Sequence, residues 1–473
     1  LDQLHLIAQP LDCGSADKNG SLERIRNLVP DTPCNRGNKT VCTRFFRQSD
    51  TAHLSPMERC AFLIYSGKED MGGAENSTVL ALACEPLPCV RIGMIGLGQR
   101  GVSTLLRYAD IDGVQFTALA DLRPERLDVA CEALPAARRA SGLALFSGPD
   151  AWRRLCHSAD VDVVYVCTDW ASHTSMAVEA MEQGKHVALE VPAGMTVDEC
   201  RKLVATAERT RRHCFMAENC CYDPFALAEV AMAQSGDLGR LTHVEGGYLH
   251  DLRQRFVESR TDGEAVSWME YCWDRHGGNP YPTHGIGPLG WALGLHRGDR
   301  MTRLVSMTSS AGVGGAGKTN TSLIQTERGC TILLQINLNT PQPYSRLQRV
   351  VGTCGYAAKY PLPTVQTAAM PEALTGEAAE RYMERYLTSP AARKVAEGRQ
   401  RGVKNAMNYA MDARFVYCLQ RGLPLDIDVY DAAEWSCLTE LTALSAAQGG
   451  APVEVPDFTH GHWRELHAHR FYE

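Results

Sequence analysis

Over residues 1–86 the apolar and polar positions follow neither a helical nor a strand period, so a poorly structured extension or small appendage is expected there. From Val90 the texture becomes regular. Short apolar runs at 90–95, 115–120, 162–167, 186–190 and 213–217 read as buried parallel strands. They alternate with helical patterns near 101–109, 123–133, 150–157, 173–183 and 196–210, which predicts a doubly wound parallel sheet. Thr196 followed by Glu199 is a capping-box signature for the last of these helices. Beyond residue 240 the runs LTHVEGGYLH, RLVSMTSS, TNTSLIQT, TILLQINLN and RLQRVVGTCG alternate instead, as antiparallel strands with one solvated or ligand-facing side do. Helical patterns near 376–386, 404–421 and 430–448 close the chain. The expected fold is α/β: an N-terminal Rossmann domain over 87–222, then a C-terminal α+β domain over 223–473 with an open, mainly antiparallel sheet.

The first strand runs into Gly96, Gly98 and Gly101, a G-x-G-x-x-G turn that opens a helix. The first glycine permits the tight turn, the second lets backbone approach a pyrophosphate, and the third lets helix and strand pack closely. Unpaired N–H groups at the helix start favour the phosphate charge. Asp121 ends the second strand, where a carboxylate can bind both hydroxyls of an adenosine ribose. Strand, turn, helix, second strand and acid in this order predict dinucleotide binding.

Three further segments fall at the carboxyl ends of predicted strands, where open parallel sheets bind ligands. These are Thr168–His173, Glu190–Ala193 and Glu218–Tyr222, and they are expected to line the cofactor. In the second domain GNPYPTHGIGP, 278–288, holds Tyr281 and His284 between stiffening prolines and permissive glycines. Histidine transfers protons near neutral pH, although capping of a helix beginning near Gly287 is the structural alternative. Tyr248 and Tyr344 offer a stacking face and a phenol, which suit a carbohydrate or ordinary sheet packing equally.

A net charge of −7 argues against nucleic acid or an anionic membrane as the main partner. No apolar run approaches the ~18–20 residues of a membrane span. No secretory leader is recognisable, the first residue is Leu1, and Met57 is an alternative start of the functional chain. The eighteen cysteines form no C-x-x-C pair and no ligand-like spacing with histidine. Free thiols in a reducing, cytoplasmic setting and no metal site are therefore expected. His460, His462, His467 and His469 read as an exposed polar tail.

GLGQRG, TDWASH, HVALEVPAGMTVDEC, ENCCYD, GGYLHDLR, GNPYPTHG, TPQPYSR and DVYDAAEWSC occur in the order seen in glycoside hydrolase family 109. That family belongs to the Gfo/Idh/MocA oxidoreductase superfamily, and the resemblance covers about residues 87–465. It implies an α-N-acetylgalactosaminidase that uses NAD without consuming it. Transient oxidation at C3 acidifies the C2 proton, and elimination, hydration and re-reduction follow. By resemblance Gly96, Gly98, Gln99, Arg100, Gly101, Asp121, Trp170, Ala171, Ser172, His173, Glu190, Val191 and Asn219 hold NAD. Tyr248, Tyr281, Pro282, Thr283, His284 and Tyr344 line the sugar site. Tyr222, His284 and Tyr344 are assigned to proton transfer and positioning.

Three positions mark this chain out. Val191 stands where sugar dehydrogenases of the superfamily carry the lysine of Glu-Lys-Pro. Lys404 stands where the family's glycine-rich loop carries a histidine that serves the leaving group, and Trp268-Met269 stands where it has Trp-Arg. The expected partners are a glycoside and a second copy of the chain. The alternatives to a glycosidase are an NAD-dependent sugar oxidoreductase or lyase, and a catalytically impaired NAD- or carbohydrate-binding homologue. Family members are often exported, which sets an exported address beside the cytoplasmic one.

Overall fold

A computed structural model of the chain describes residues 78–260, 266–309 and 317–473; Met57 and the rest of 1–77 lie outside it. Six parallel strands form the first sheet: β1 Val90–Ile95, β2 Val114–Asp121, β3 Arg139–Ser147, β4 Val163–Val166, β5 His186–Leu189 and β6 Cys214–Met216. Their order, β3-β2-β1-β4-β5-β6, is that of a doubly wound nucleotide-binding sheet. The central strands are mostly apolar because helices cover both faces; every residue of β4 and β5 is buried. Edge strand β3 was not anticipated. Its residues RASGLALFS are half exposed and follow no clear period, which hides it from a hydrophobicity pattern. The helix Val197–Thr210 opens on the expected capping box, with Glu199 N–H donating to Thr196 Oγ1 at 3.1 Å and the Glu199 carboxylate accepting from Thr196 N–H at 3.1 Å.

The second sheet holds β7 Leu241–Leu249, β8 Met301–Thr308, β9 Asn320–Thr326, β10 Thr331–Asn337, β11 Arg349–Gly352, β12 Gly355–Ala358, β13 Thr364–Thr367, β14 Leu374–Thr375 and β15 Val453–Glu454. Its order is β14-β13-β12-β11-β7-β10-β9-β8-β15, and only β7 with β10 pair in parallel. The helix Thr283–Leu293, buried along its whole length, lies directly on β7. Glycines make that approach possible: a Cβ on Gly246 would stand 2.3 Å from the Gly285 carbonyl oxygen. This close seat brings His284, in the first turn of the helix, against the end of β7 (below).

Two long helices near the end of the chain, Ala406–Arg421 and Val429–Ala447, tie the halves together. Phe415 stacks on Phe215 of β6 with centroids 4.7 Å apart, and Asp412 pairs with Arg107 at 2.7 Å in the buried interior. Part of the expected N-terminal extension also belongs to this core, since Val79 is buried and Leu87 N–H donates to Leu419 O at 3.0 Å. The polar-tail expectation needs a similar correction. His469 is buried and stacks on Trp291 at 4.1 Å, because an imidazole beside an indole fills apolar space well. No helix among the described residues is long and apolar enough to cross a membrane, and every described cysteine is free.

A pair of histidines makes this fold acid-sensitive. His213 N–H donates to His186 Nδ1 at 3.1 Å, and the two rings lie 5.0 Å apart in the interior. An accepting Nδ1 must be unprotonated. Burial, with Arg212 adding to it, lowers His186 to about 4, and burial with His186 and Arg212 lowers His213 as well. The unfolded chain takes up these protons below about 6.5 and the native chain does not. Stability is therefore full above pH 6.5 and falls as pH drops toward 4, with His186 alone worth roughly 2–3 kcal/mol across that window. Urea midpoints measured from pH 7.5 to 4.5 should slope accordingly, and His186→Gln should flatten the slope.

Candidate functional site

The glycine turn is built as its sequence demands. Gly96 has φ +88°, and a Cβ there would stand 2.6 Å from Cys167 O. A Cβ on Gly101 would stand 2.1 Å from Gly96 O, so helix and strand meet there only without a side chain. Gly98 has nothing within 4 Å of its Cβ position. It caps the helix Gln99–Arg107 with no side-chain partner, which leaves the first N–H groups for an anion. Asp121 ends β2, where its Oδ2 accepts from Leu97 N at 2.7 Å and its Oδ1 from Arg123 N at 2.9 Å. Both oxygens keep lone pairs free, so the carboxylate braces the turn and remains available to a ribose.

Arg100 Nε reaches Glu190 Oε2 at 2.9 Å, which joins this turn to the end of β5. The other Glu190 oxygen is buried without a partner. An open glycine cradle, an uncapped helix start, a braced acid and an orphaned carboxylate oxygen together fit a dinucleotide. Gln99 is exposed, with its amide against Glu258 O at 3.4 Å, and Ala171 and Ser172 lie in the short turn after β4. Asn219 donates to Asn408 Oδ1.

Two of the expected cofactor residues are buried in the wall beside the turn. His173 is fully buried between Pro192 O at 2.8 Å and Thr168 O at 3.2 Å, and burial lowers its pKa. A neutral ring has one N–H, so it braces one of these carbonyls at a time. Val191 is buried in the same wall.

The sugar-side residues converge. Tyr281 stacks on Trp170 at 5.3 Å and meets the His284 ring edge-on at 4.8 Å. Tyr248 also meets His284 at 4.8 Å and lies 6.1 Å from Tyr344, which is 39% exposed. Pro282 and Thr283 are buried at the start of the helix that carries His284, and the Thr283 side chain lies against Glu218. That helix begins at Thr283 and not near Gly287.

Two further members were not expected in the sugar-side cluster. Glu218, fully buried at the end of β6, takes His284 Nδ1 at 2.7 Å. Burial alone would lower the His284 pKa, but the neighbouring Cys220 and Glu218 raise it to about 10. Burial would likewise raise the Glu218 carboxyl, and His284 outweighs it to hold that group below its ordinary value. The pair is thus a carboxylate and an imidazolium. His250, just past β7, accepts or donates at Nδ1 to the Tyr248 hydroxyl at 3.0 Å and faces Tyr344 at 5.0 Å. Burial, with Arg255 and His284 adding to it, lowers the His250 pKa. One wall of the cluster therefore holds a charged imidazole and the other a neutral one.

Tyr222 lies elsewhere. It is fully buried, its hydroxyl donates to Asp426 at 3.2 Å, and Asp426 is paired with Arg414 at 2.7 Å. A phenol committed to that interior contact is no proton-transfer group, so its expected catalytic role is withdrawn. Lys404 is exposed in the loop before the helix Ala406–Arg421, and Asn405 caps that helix by accepting from Asn408 N at 3.1 Å.

Comparison with known proteins agrees with this geometry. Residues 90–218 match the family model for the NAD-binding Rossmann fold of an oxidoreductase family. Residues 222–316 and 314–465 match the C-terminal domain of glycosyl hydrolase 109. The chain is 51% identical over 418 residues to a Bacteroides fragilis protein named alpha-N-acetylgalactosaminidase, covering 83% of this chain and 97% of that one. It is 48% identical over 412 residues to glycosyl hydrolase family 109 protein 2 of Phocaeicola vulgatus, covering 83% of this chain and 100% of that one. Among solved structures, levoglucosan dehydrogenase with NADH shares the fold at TM-score 0.60 and 18% identity, over 78% of this chain and 99% of that one. An oxidoreductase domain protein from Kribbella flavida shares it at TM-score 0.61 and 18% identity, over 78% of this chain and 100% of that one. The chain carries an NAD-binding Rossmann fold and belongs to glycosyl hydrolase family 109.

Proposed function

We propose that this protein is a glycosidase that releases α-linked N-acetylgalactosamine, or a closely related sugar, with NAD bound throughout the cycle. The observation that carries the reading is its 51% identity, across nearly the whole of the relative, to an α-N-acetylgalactosaminidase. When bound, NAD⁺ would supply a hydride acceptor for C3 of the sugar and, once reduced, the donor that restores it. The adjacent carbonyl makes the C2 proton ionisable, so no pair of carboxylates flanking the glycosidic bond is required.

The residues of the cluster divide the proton chemistry. His250 is held neutral and can accept a proton from the sugar. His284 is held protonated on Glu218 and can return one, with Nδ1 fixed on the carboxylate and Nε2 the atom assigned to the substrate. Environments that push two titratable groups apart in this way assign an acid and a base. Tyr281 and Tyr248 present ring faces to a sugar, and Tyr344, 39% exposed, stands at the solvent side. Gln99, Arg100, Asp121, Trp170, Glu190 and Asn219 are assigned to NAD. The deciding assay is hydrolysis of aryl α-N-acetylgalactosaminide by protein purified without added cofactor. Aglycone release with no net NADH is expected; accumulation of NADH without aglycone would replace the glycosidase by a dehydrogenase.

Asp121 predicts cofactor choice. Its carboxylate repels a 2′-phosphate, so NAD(H) should bind more tightly than NADP(H). Titration of Asp121→Ala with both reduced cofactors should show weaker NADH binding and a smaller preference. Equal affinities in the unmodified protein would count against this assignment.

Lys404 predicts leaving-group dependence. An exposed ammonium is a poorer leaving-group acid near neutral pH than a histidine would be. Aryl glycosides, whose leaving groups need little protonation, should react well and alkyl-linked glycans poorly. Lys404→His should narrow the gap in rate between the two, with Asn405 kept because it caps the next helix. An unchanged ratio would mean that this loop does not serve the leaving group.

A further inference from the structure

Glu218, Cys220 and His284 place a carboxylate oxygen, a thiol sulfur and an imidazole nitrogen within 4.8 Å of one another. The three are 0%, 3% and 6% exposed. Two short segments supply them. Glu218 Oε1 accepts the Cys220 N–H at 3.0 Å across the turn Asn219–Tyr222, and His284 lies in the first turn of the helix Thr283–Leu293. Close packing holds the carboxylate in place: a Cβ on Gly287 would stand 2.9 Å from Glu218 Cγ.

We propose that these three side chains form a site for one thiophilic divalent cation of the Zn²⁺ class. One sulfur, one nitrogen and one oxygen donor with a fourth position left over is the donor set of an open zinc site. Bond lengths of about 2.0–2.3 Å place tetrahedral ligands roughly 3.3–3.8 Å apart, which side-chain adjustments of an ångström or less would reach from here. Magnesium and calcium prefer all-oxygen shells and are selected against by the thiol. Binding replaces the thiol proton and the imidazolium proton, which pass to solvent, and leaves a site of carboxylate, thiolate, neutral imidazole and dication with no net charge. Occupancy would also take His284 away from proton transfer. That consequence, unlike the site itself, rests on the function proposed above: zinc should inhibit hydrolysis reversibly.

Cobalt(II) is the probe, because a thiolate bound to it gives a near-ultraviolet charge-transfer band whether or not the protein turns over. Chelator-treated full-length protein is expected to take up one equivalent of Co²⁺ with such a band, and one equivalent of Zn²⁺ should abolish it. Cys220→Ser and His284→Asn should each weaken Co²⁺ binding ~10–100-fold, a loss of the size seen when a site loses support for its ligands. If Cys220→Ser does not fold, Cys220→Ala takes its place beside His284→Asn. No band in the unmodified protein, or a band unchanged in both variants and so owed to other thiols, overturns the proposal. Zinc inhibition reversed by EDTA is the second expected result. Binding without inhibition would leave the cation site standing and overturn the proton-transfer role of His284.

Discussion

Replacing His284 with alanine is expected to cut turnover ~10²–10⁴-fold while NAD remains bound, the range for losing a positioned acid–base group. The residue is 6% exposed, and its Nδ1 is committed to a carboxylate, so its chemistry is confined to Nε2. The residues assigned to NAD do not include His284, so the cofactor should stay bound. The substitution also strands Glu218, which is fully buried, and breaking a buried ion pair on one side costs about 3–5 kcal/mol. Turnover must therefore be expressed per folded molecule, with NAD content measured on the same sample. Glu218→Gln offers a milder control, since it keeps the hydrogen bond and removes the charge. If turnover per folded molecule is unaffected in His284→Ala and only the unfolding midpoint drops, the histidine is a structural clamp.

Gly101→Ala is expected to remove NAD from the purified protein almost completely. Its Cβ would stand 2.1 Å from the Gly96 carbonyl oxygen, which is backbone and cannot swing aside. The helix must then lift from β1, at a cost of about 1–3 kcal/mol for overpacking, and the N–H groups that face the phosphates move with it. Both stability and cofactor content should fall. Gly98→Ala separates the two effects, because nothing lies within 4 Å of that Cβ position. It should fold normally and lose NAD affinity through the side chain that now stands in the phosphate approach. Full NAD content in both variants would contradict the assignment of this turn.

The sequence made local requirements visible. Glycine conformations, a capping box and an acid at a strand end all depend on residues close along the chain, so Gly96, Gly98, Gly101, Asp121 and Thr196 could be read directly. The tertiary partnerships could not. Glu218 was legible as a strand-end residue, yet its bond to His284 depends on a helix seated on the second sheet. His250 looked like one more residue in an alternating strand; only the fold sets it beside Tyr344. The helix Pro224–Ser235 went unread because it is apolar nearly all round and so lacks the amphipathic period. The helix Pro390–Gln400 did carry a start signal, with Ser389 as cap and Pro390 in the first turn. Tyr222 was misassigned because adjacency to cofactor-lining residues does not reveal which way a side chain faces.

The stack of Trp170 on Tyr281 ties the two assigned ligand sites to one another. One ring belongs to the loop assigned to NAD and the other to the loop assigned to the sugar, so neither can turn without the other losing its neighbour. If the dinucleotide orders this stack, the sugar meets a wall that is already rigid, and each ligand must then alter the affinity of the other by one common factor. Such reciprocity would suit a catalyst that keeps its oxidant from one turnover to the next: every sugar that binds would strengthen, while it stays, the grip on the nucleotide.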